Sequence, residues 1–238
     1  MSPPFKRLRH QLRLACGRLR YHERALTNLL THHQIDLVVD VGAHTGSYCE
    51  LLHDLGYRGE TILVEPLSWA HESLTAKAKN YPRWQMVPRC VLGATPGEAR
   101  LKVARNGVSS SMLTATPGQD VGGLAQVEEQ VVPQRTLDEL LATANLDKHQ
   151  TLVKIDVQGF EAAVLDGGRK VLPQVRALQL ELSVQALYQG QANWRSLLQR
   201  LCGEGGDGWR LWQIPELSTE RVSVELQQFD VILVRGNV

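Results

Sequence analysis

IDLVVDVGAHTGSYCELL, residues 35–52, is the stretch from which the fold is read. Leu37-Val38-Val39-Asp40-Val41 is a short apolar run rich in β-branched residues, the composition of a strand buried in a mostly parallel sheet. Gly42 and Gly46 follow, and Tyr48, Leu51, Leu52 and Leu55 then recur at helical spacing. Strand, glycine turn and helix in direct succession make a ligand cradle. The helix N-terminus presents unpaired N–H groups with a partial positive charge. The glycines let a ligand approach the backbone closely.

Outward from this stretch, the same rhythm repeats. Residues 60–64 form a second apolar strand that ends in Glu65-Pro66, and residues 67–79 read as a helix. Residues 84–92 read as a third strand, ending at Gly93. Residues 99–104 and 127–133 suit strands, and the polar loop Asn106-Gly107-Val108-Ser109-Ser110-Ser111-Met112 lies between them. With the glycine-rich residues 117–123, this part reads as a solvated loop or an insertion over the active face. Thr136 and Glu139 have the spacing of a capping box. Residues 151–155 form a fourth strand that runs through Asp156 and Gly159 into a helix beginning near Glu161. Residues 178–183 form a fifth strand carrying Glu181, residues 192–201 a helix, and residues 209–214 and 228–234 the last strands. Strands alternating with helices predict an α/β, doubly wound parallel sheet. The last two strands, with no helix pattern between them, are expected to pair antiparallel at its edge.

The 238 residues suit one large domain, residues 35–238, preceded by a basic helical extension, residues 1–34. That extension holds Lys6, Arg7, Arg9, Arg13, Arg18, Arg20 and Arg24 against the single acid Glu23. It is open to three readings: a helix packed on the domain, a membrane-surface or partner-binding helix, or an organelle transit peptide. A net charge of +1 supplies no global field for nucleic acid. Four scattered cysteines without C-x-x-C spacing argue against a disulfide framework or a zinc site and fit a reducing compartment, so a cytoplasmic location is expected. No apolar run approaches the ~18 residues of a membrane span.

The chemistry rests on the first turn. A dinucleotide fold wants G-x-G-x-x-G, and His44 stands where its second glycine should be, which argues against NAD or FAD. The pattern D-x-G-x-x-x-G with a downstream acid suits S-adenosylmethionine (SAM) better. Its carboxylate can sit near turn amides and its ribose hydroxyls can pair with Glu65, 23 residues after Gly42. The plainer reading of Glu65 is a surface acid closing a strand, and that of His44 a turn histidine capping the helix.

The sequence resembles the FkbM-type SAM-dependent methyltransferases. The matching stretches are DVGAHTGSY (40–48), LVEP (63–66), VSSSML (108–113), RTLDEL (135–140), VKIDVQGFEAAVLDG (153–167) and LQLELS (178–183), in family order. The resemblance implies the Rossmann-like class I methyltransferase fold, a mostly parallel seven-stranded sheet with an antiparallel terminal strand. It implies O-methylation, often of sugar hydroxyls in natural products or glycans. By position it implies that Asp40, Gly42, Ala43, His44, Thr45 and Gly46 cradle the cofactor, with Glu65 on the ribose and Ser110 in a loop nearby. Asp156 matches the acid beside the methyl donor. An acid or Asn expected near Gly93 for the adenine is absent, since Ala94-Thr95 stand there.

Methyl transfer to oxygen needs alignment, a dry site and a route for the acceptor proton. Asp156, Glu181 and Glu161 are the candidate catalytic acids. One carboxylate can act as general base; alternatively Asp156 and Glu181 hold Mg²⁺, which would acidify a bound diol. Helix-dipole complementarity is the competing role for Glu161, an ion pair for Glu181 and a helix cap for Asp156. The expected partner is a small-molecule or glycan acceptor. Competing functions are N- or carboxyl-methylation on the same fold and a SAM-binding module without turnover.

Overall fold

In chain order the elements are α1 (Tyr21–His32), β1 (Leu37–Val41), α2 (Ser47–Asp54), β2 (Glu60–Val64), α3 (Ser68–Ala78), β3 (Trp84–Met86), β4 (Val91–Leu92), β5 (Gly97–Ala104), β6 (Gln126–Arg135), α4 (Leu137–Leu141), β7 (Thr151–Ile155), α5 (Glu161–Asp166), β8 (Ala177–Ser183), α6 (Trp194–Cys202), β9 (Arg210–Gln213), β10 (Leu217–Thr219) and β11 (Leu226–Val234). The computed structural model describes residues 21–117, 124–215, 217–219 and 226–235. The basic run of residues 1–20 and the glycine-rich residues 118–123 lie outside the described residues.

The main sheet runs β10-β11-β8-β7-β1-β2-β3, with β9 also paired to β11. The pairs from β8 to β3 are parallel, while β11 is antiparallel to β8, β9 and β10. The expected seven-stranded path with an antiparallel end is present, and β9 makes an eighth strand. Residues 84–92 are not one strand. Pro88 has no N–H to extend the ladder. The chain leaves the main sheet after β3 and enters a second sheet, ordered β4-β6-β5.

Strand periodicity sorts the core. Leu37, Val39 and Val41 of β1, Val153 and Ile155 of β7, and Leu178, Leu180 and Leu182 of β8 share one face. They pack against Leu137 and Leu141 of α4, Val164 and Leu165 of α5, and Leu197 and Leu201 of α6. Val38, Leu152, Ala177 and Ile232 point the other way, onto Leu26, Leu29 and Leu30 of α1 and Leu52 of α2. Described residues of the N-terminal segment therefore pack on the sheet. No described helix is long and apolar enough to cross a membrane.

The same parity has a chemical consequence. Asp40, Lys154 and Gln179 are register partners on β1, β7 and β8. They lie on the α1–α2 face, where the apolar row gives way to a buried polar row near the C-terminal strand ends. A one-residue slip of register would move every one of these side chains to the opposite face.

The capping box forms as expected at α4. Thr136 Oγ1 accepts from the Glu139 amide at 3.0 Å and the Glu139 carboxylate accepts from the Thr136 amide at 3.0 Å. Thr136→Ala is expected to lower the unfolding free energy by about 1 kcal/mol, read from urea denaturation midpoints, and Thr136→Ser to restore most of it.

Candidate active site

The bend after β1 is built on left-handed backbone. Gly42, His44 and Gly46 have φ values of +84°, +48° and +79°. Gly42 is required twice over, because a Cβ there would stand 2.0 Å from the Asp156 carbonyl oxygen. The Gly42 and Ala43 amides both donate to the Val64 carbonyl at 3.0 Å, and the Gly46 amide donates to Ala43 O at 2.8 Å. The His44 amide donates to Glu65 Oε2 at 2.7 Å. These four amides are thus engaged within the protein, and the bend is locked to the end of β2. Glu65 Oε1 accepts from the Leu67 amide at 2.8 Å, so this carboxylate clasps the first and second bends together. Burial pushes its pKa up to about 7 against the pull of those two amides.

Three charged groups meet where β1 and β7 end. Lys154 Nζ lies 3.3 Å from Asp40 Oδ1 and 3.2 Å from Asp156 Oδ2. Asp40 is wholly buried, and its second oxygen accepts from Cys49 Sγ at 3.3 Å. Burial works against the lysine charge, but Asp156 and Asp40 outweigh it and hold the ammonium protonated. Burial also works against the Asp156 carboxylate. The Lys154 charge and hydrogen bonds from Gln158, Lys154 and Glu181 overcome it, and its pKa falls below the ordinary value. Glu181 goes the other way. Burial, then the charges of Asp156 and Asp230, push its pKa well up. Two neighbouring acids are thereby set apart, one ionised and one protonated.

Gln158 ties these acids together. Its Nε2 donates to Asp156 Oδ1 and to Glu181 Oε2, each at 2.9 Å. It holds a left-handed φ of +55°, and its carbonyl takes the Ser111 hydroxyl at 2.6 Å. Tyr188 donates its hydroxyl to Ser109 O at 2.9 Å. These bonds dock the serine loop against the turn after β7. Ser110 is used locally, donating to Gly107 O and accepting from the Ala104 amide.

The bend, the clasp and the loop enclose about 700 Å³, open mouth included. Gly42, His44, Glu65, Ser110 and Asp156 line it, and Cys90, Val91, Leu92, Leu101 and Met112 supply an apolar wall. The His44 ring meets Trp69 edge-on at 5.1 Å, and its Nε2 is buried with no partner among the described residues. Burial lowers the His44 pKa, so the ring is neutral near pH 7.

Other expected site residues stand off the cavity. The Ala43 methyl packs with Cys49, Leu63 and Leu74. The Thr45 carbonyl accepts from Lys77 Nζ at 2.5 Å. Gly46 abuts Leu74, and Asp40 sits behind Lys154. Glu161 turns into its own loop, accepting from the Gly159 amide at 2.9 Å and the Val157 amide at 3.3 Å. Glu181 reaches the site through Gln158.

The Mg²⁺ expectation does not fit this donor set. Both Asp156 oxygens face N–H donors, from Lys154 and Gln158. Glu181 Oε2 already accepts from Gln158 and Gln228. An ammonium stands where a cation would have to approach, and among the described residues no group of three His, Cys, Asp or Glu side chains is placed to hold a metal ion. Sequence reasoning assigned Lys154 no chemistry and passed over Gln158, although both lie in the KIDVQG stretch.

A model of the "Methyltransferase FkbM domain" matches residues 40–207. A 70-residue segment is 39% identical to a protein named 2-O-methyltransferase NoeI from Sinorhizobium fredii; the match covers 29% of this chain and 28% of that relative's length. Among solved structures, the O-methyltransferase of Bacillus cereus in complex with SAH (S-adenosylhomocysteine) superposes with a TM-score of 0.51 at 10% identity, covering 97% of this chain and 91% of that one. A protein of the NADB-Rossmann superfamily from Streptococcus agalactiae superposes with a TM-score of 0.48 at 12% identity, over 92% and 70% of the two chains. The Bacillus cereus structure shares the fold, and the family match takes in both bends, the serine loop and the buried acids: the chain belongs to the FkbM methyltransferase family.

Proposed function

We propose that this chain is a SAM-dependent O-methyltransferase whose acceptor is a hydroxyl of a sugar, free or within a glycan. One observation carries the reading: a glycine bend and an ionised carboxylate, Asp156, face the same mostly apolar cavity. An oxygen acceptor is further supported by the relative named as a 2-O-methyltransferase.

Residues that would hold the cofactor are Gly42, His44, Glu65 and Ser110. Each Glu65 oxygen already accepts one amide and keeps a lone pair for a ribose hydroxyl. The unpartnered His44 Nε2 offers a polar contact at the cavity wall. The wall of Cys90, Val91 and Leu92 suits the flat face of a base, and its composition explains why no acid is needed there. When bound, the cofactor supplies an electrophilic methyl group on a sulfonium.

The protein's task is the acceptor proton. Asp156, ionised and held by Lys154 and Gln158, accepts the hydrogen bond of the acceptor hydroxyl and then its proton. That protonation removes the negative charge that helped hold the proton on Glu181. Glu181 keeps its own proton, which burial and the Asp230 charge still favour, so Asp156 is the one group that takes up the acceptor proton. Glu161 has no part in this transfer; its carboxylate anchors the turn that carries Gln158.

Incubation with methyl-labelled SAM and a panel of glycans, followed by linkage analysis, is expected to place label on a sugar oxygen. Label on nitrogen or a carboxyl, or SAM bound with no transfer, contradicts the reading. Asp156→Asn is expected to lower kcat by about 10²–10⁴-fold and to leave SAH affinity within roughly threefold. Equal losses of both would assign Asp156 to binding instead.

Glu161 makes a separate prediction. Burial lifts its pKa from 4.5 to about 7, so the folded state holds a proton that the unfolded state releases. A raised carboxylate pKa stabilises the fold below pH 4.5 and loses that stabilisation as pH rises to about 7. The effect is on the order of 3 kcal/mol. Glu161→Gln keeps an acceptor for the two amides and cannot ionise. The variant is expected to show a flatter fall of unfolding free energy between pH 5 and pH 7, measured with urea, and near-normal kcat.

A further inference from the structure

A second cavity lies on the opposite rim of the sheet. The cavity described above opens at the C-terminal ends of β1 and β7. This one sits where β8 begins and β11 ends, a place fixed by the Arg235 amide donating to Arg176 O at 2.9 Å. It encloses about 1060 Å³, open mouth included. Three guanidinium groups, Arg169, Arg200 and Arg235, line it together with the indole of Trp209 and the loop Gly206-Asp207-Gly208.

The glycine-rich GEGGDG stretch is explained by this packing. A Cβ on Gly206 would stand 2.4 Å from Arg200 O, and Gly208 has a φ of +77° with its Cβ position 3.2 Å from Arg235 Nη1. Glycines thus let the loop close against two of the arginines. The arginines are unequally satisfied. Arg169 pairs with Asp166, and Arg200 with Asp166 and Asp207. Arg235 lies over the Trp209 ring at 4.3 Å and donates Nε to Leu172 O at 3.2 Å. Among the described residues no carboxylate stands within ion-pair distance of it. The Trp209 Nε1–H is buried and has no partner among the described residues. Each guanidinium has more donors than these bonds use. Three cations against Asp166 and Asp207 leave a surplus of both charge and N–H groups. That surplus is complementary to a compact oxyanion with several acceptor oxygens, which arginine forks recognise bidentately.

We propose that this cavity is a second binding site, for a phosphate or sulfate group, separate from the methyl-transfer cavity. Its ligand is a phosphorylated or sulfated solute, or the same group at a lipid surface. Arg200 and Arg235 grip the oxyanion, and Asp207 competes with it for Arg200.

Calorimetry on the full chain at fixed ionic strength tests this, with inorganic phosphate and a sugar phosphate as soluble probes. Pelleting with phosphatidylglycerol vesicles, against phosphatidylcholine alone, tests the surface source. Saturable binding is expected, weakened about tenfold or more in Arg235→Gln and in Arg200→Gln. Asp207→Asn is expected to tighten binding severalfold, a gain that misfolding cannot produce. Binding of the soluble probes alone identifies a free ligand, and binding of anionic vesicles alone a headgroup; either supports the site. No saturable binding of any probe, or binding unchanged in Arg235→Gln and Asp207→Asn, overturns it.

Discussion

A buried ammonium between two carboxylates is the constraint on which this fold's chemistry depends. Lys154 joins Asp40 of β1 to Asp156 beyond β7, at the point where both parallel strands leave the sheet. Removing one member of such a group leaves an unpaired buried charge, which typically costs about 3–5 kcal/mol. The ion group does more than hold strands. It keeps the Asp156 side chain ionised at the cavity wall, beside the point where the Asp156 carbonyl stands so close to Gly42 that only a glycine fits.

From that point the acids divide by role according to what reaches them. Asp156 receives a cation and an amide, and its pKa falls. Glu65 and Glu161 receive only backbone amides, too little to offset burial, and their pKa values rise to about 7. Glu181 sits among negative neighbours and holds its proton most firmly of these acids. Asp156 therefore faces the cavity ionised, with a protonated acid tied to it through Gln158, an arrangement that presents no paired anionic carboxylates to a metal.

Much of this was legible in the sequence because it rests on period and punctuation. The β-branched run before Gly42 and its repeats gave the parallel strands, and Thr136 with Glu139 gave the capped helix. Proline chemistry was under-read: Pro88 divides residues 84–92 between two sheets. The acids Asp156, Glu161 and Glu181 were found, but a sequence states which carboxylates exist and not which donors face them. Glu161 proved to be held by its own turn, and the N–H groups around Asp156 and Glu181 removed the case for Mg²⁺. Lys154 carried a usable signal. Its parity on β7 matches Asp40 on β1, so both belong to one face once the strands are paired in register. The GEGGDG loop could not be interpreted without its neighbours, since Gly206 closes on the Arg200 carbonyl and Gly208 on the Arg235 side chain from the far end of β11.

The central claim is that the cavity between the first glycine bend and Asp156 seats a thioether nucleoside. Titration of the purified chain with S-adenosylhomocysteine by isothermal calorimetry tests it most directly. The account predicts saturable binding of one ligand per chain with a dissociation constant of roughly 1–100 μM, about 5–8 kcal/mol. Absence of saturable binding at millimolar ligand would contradict it.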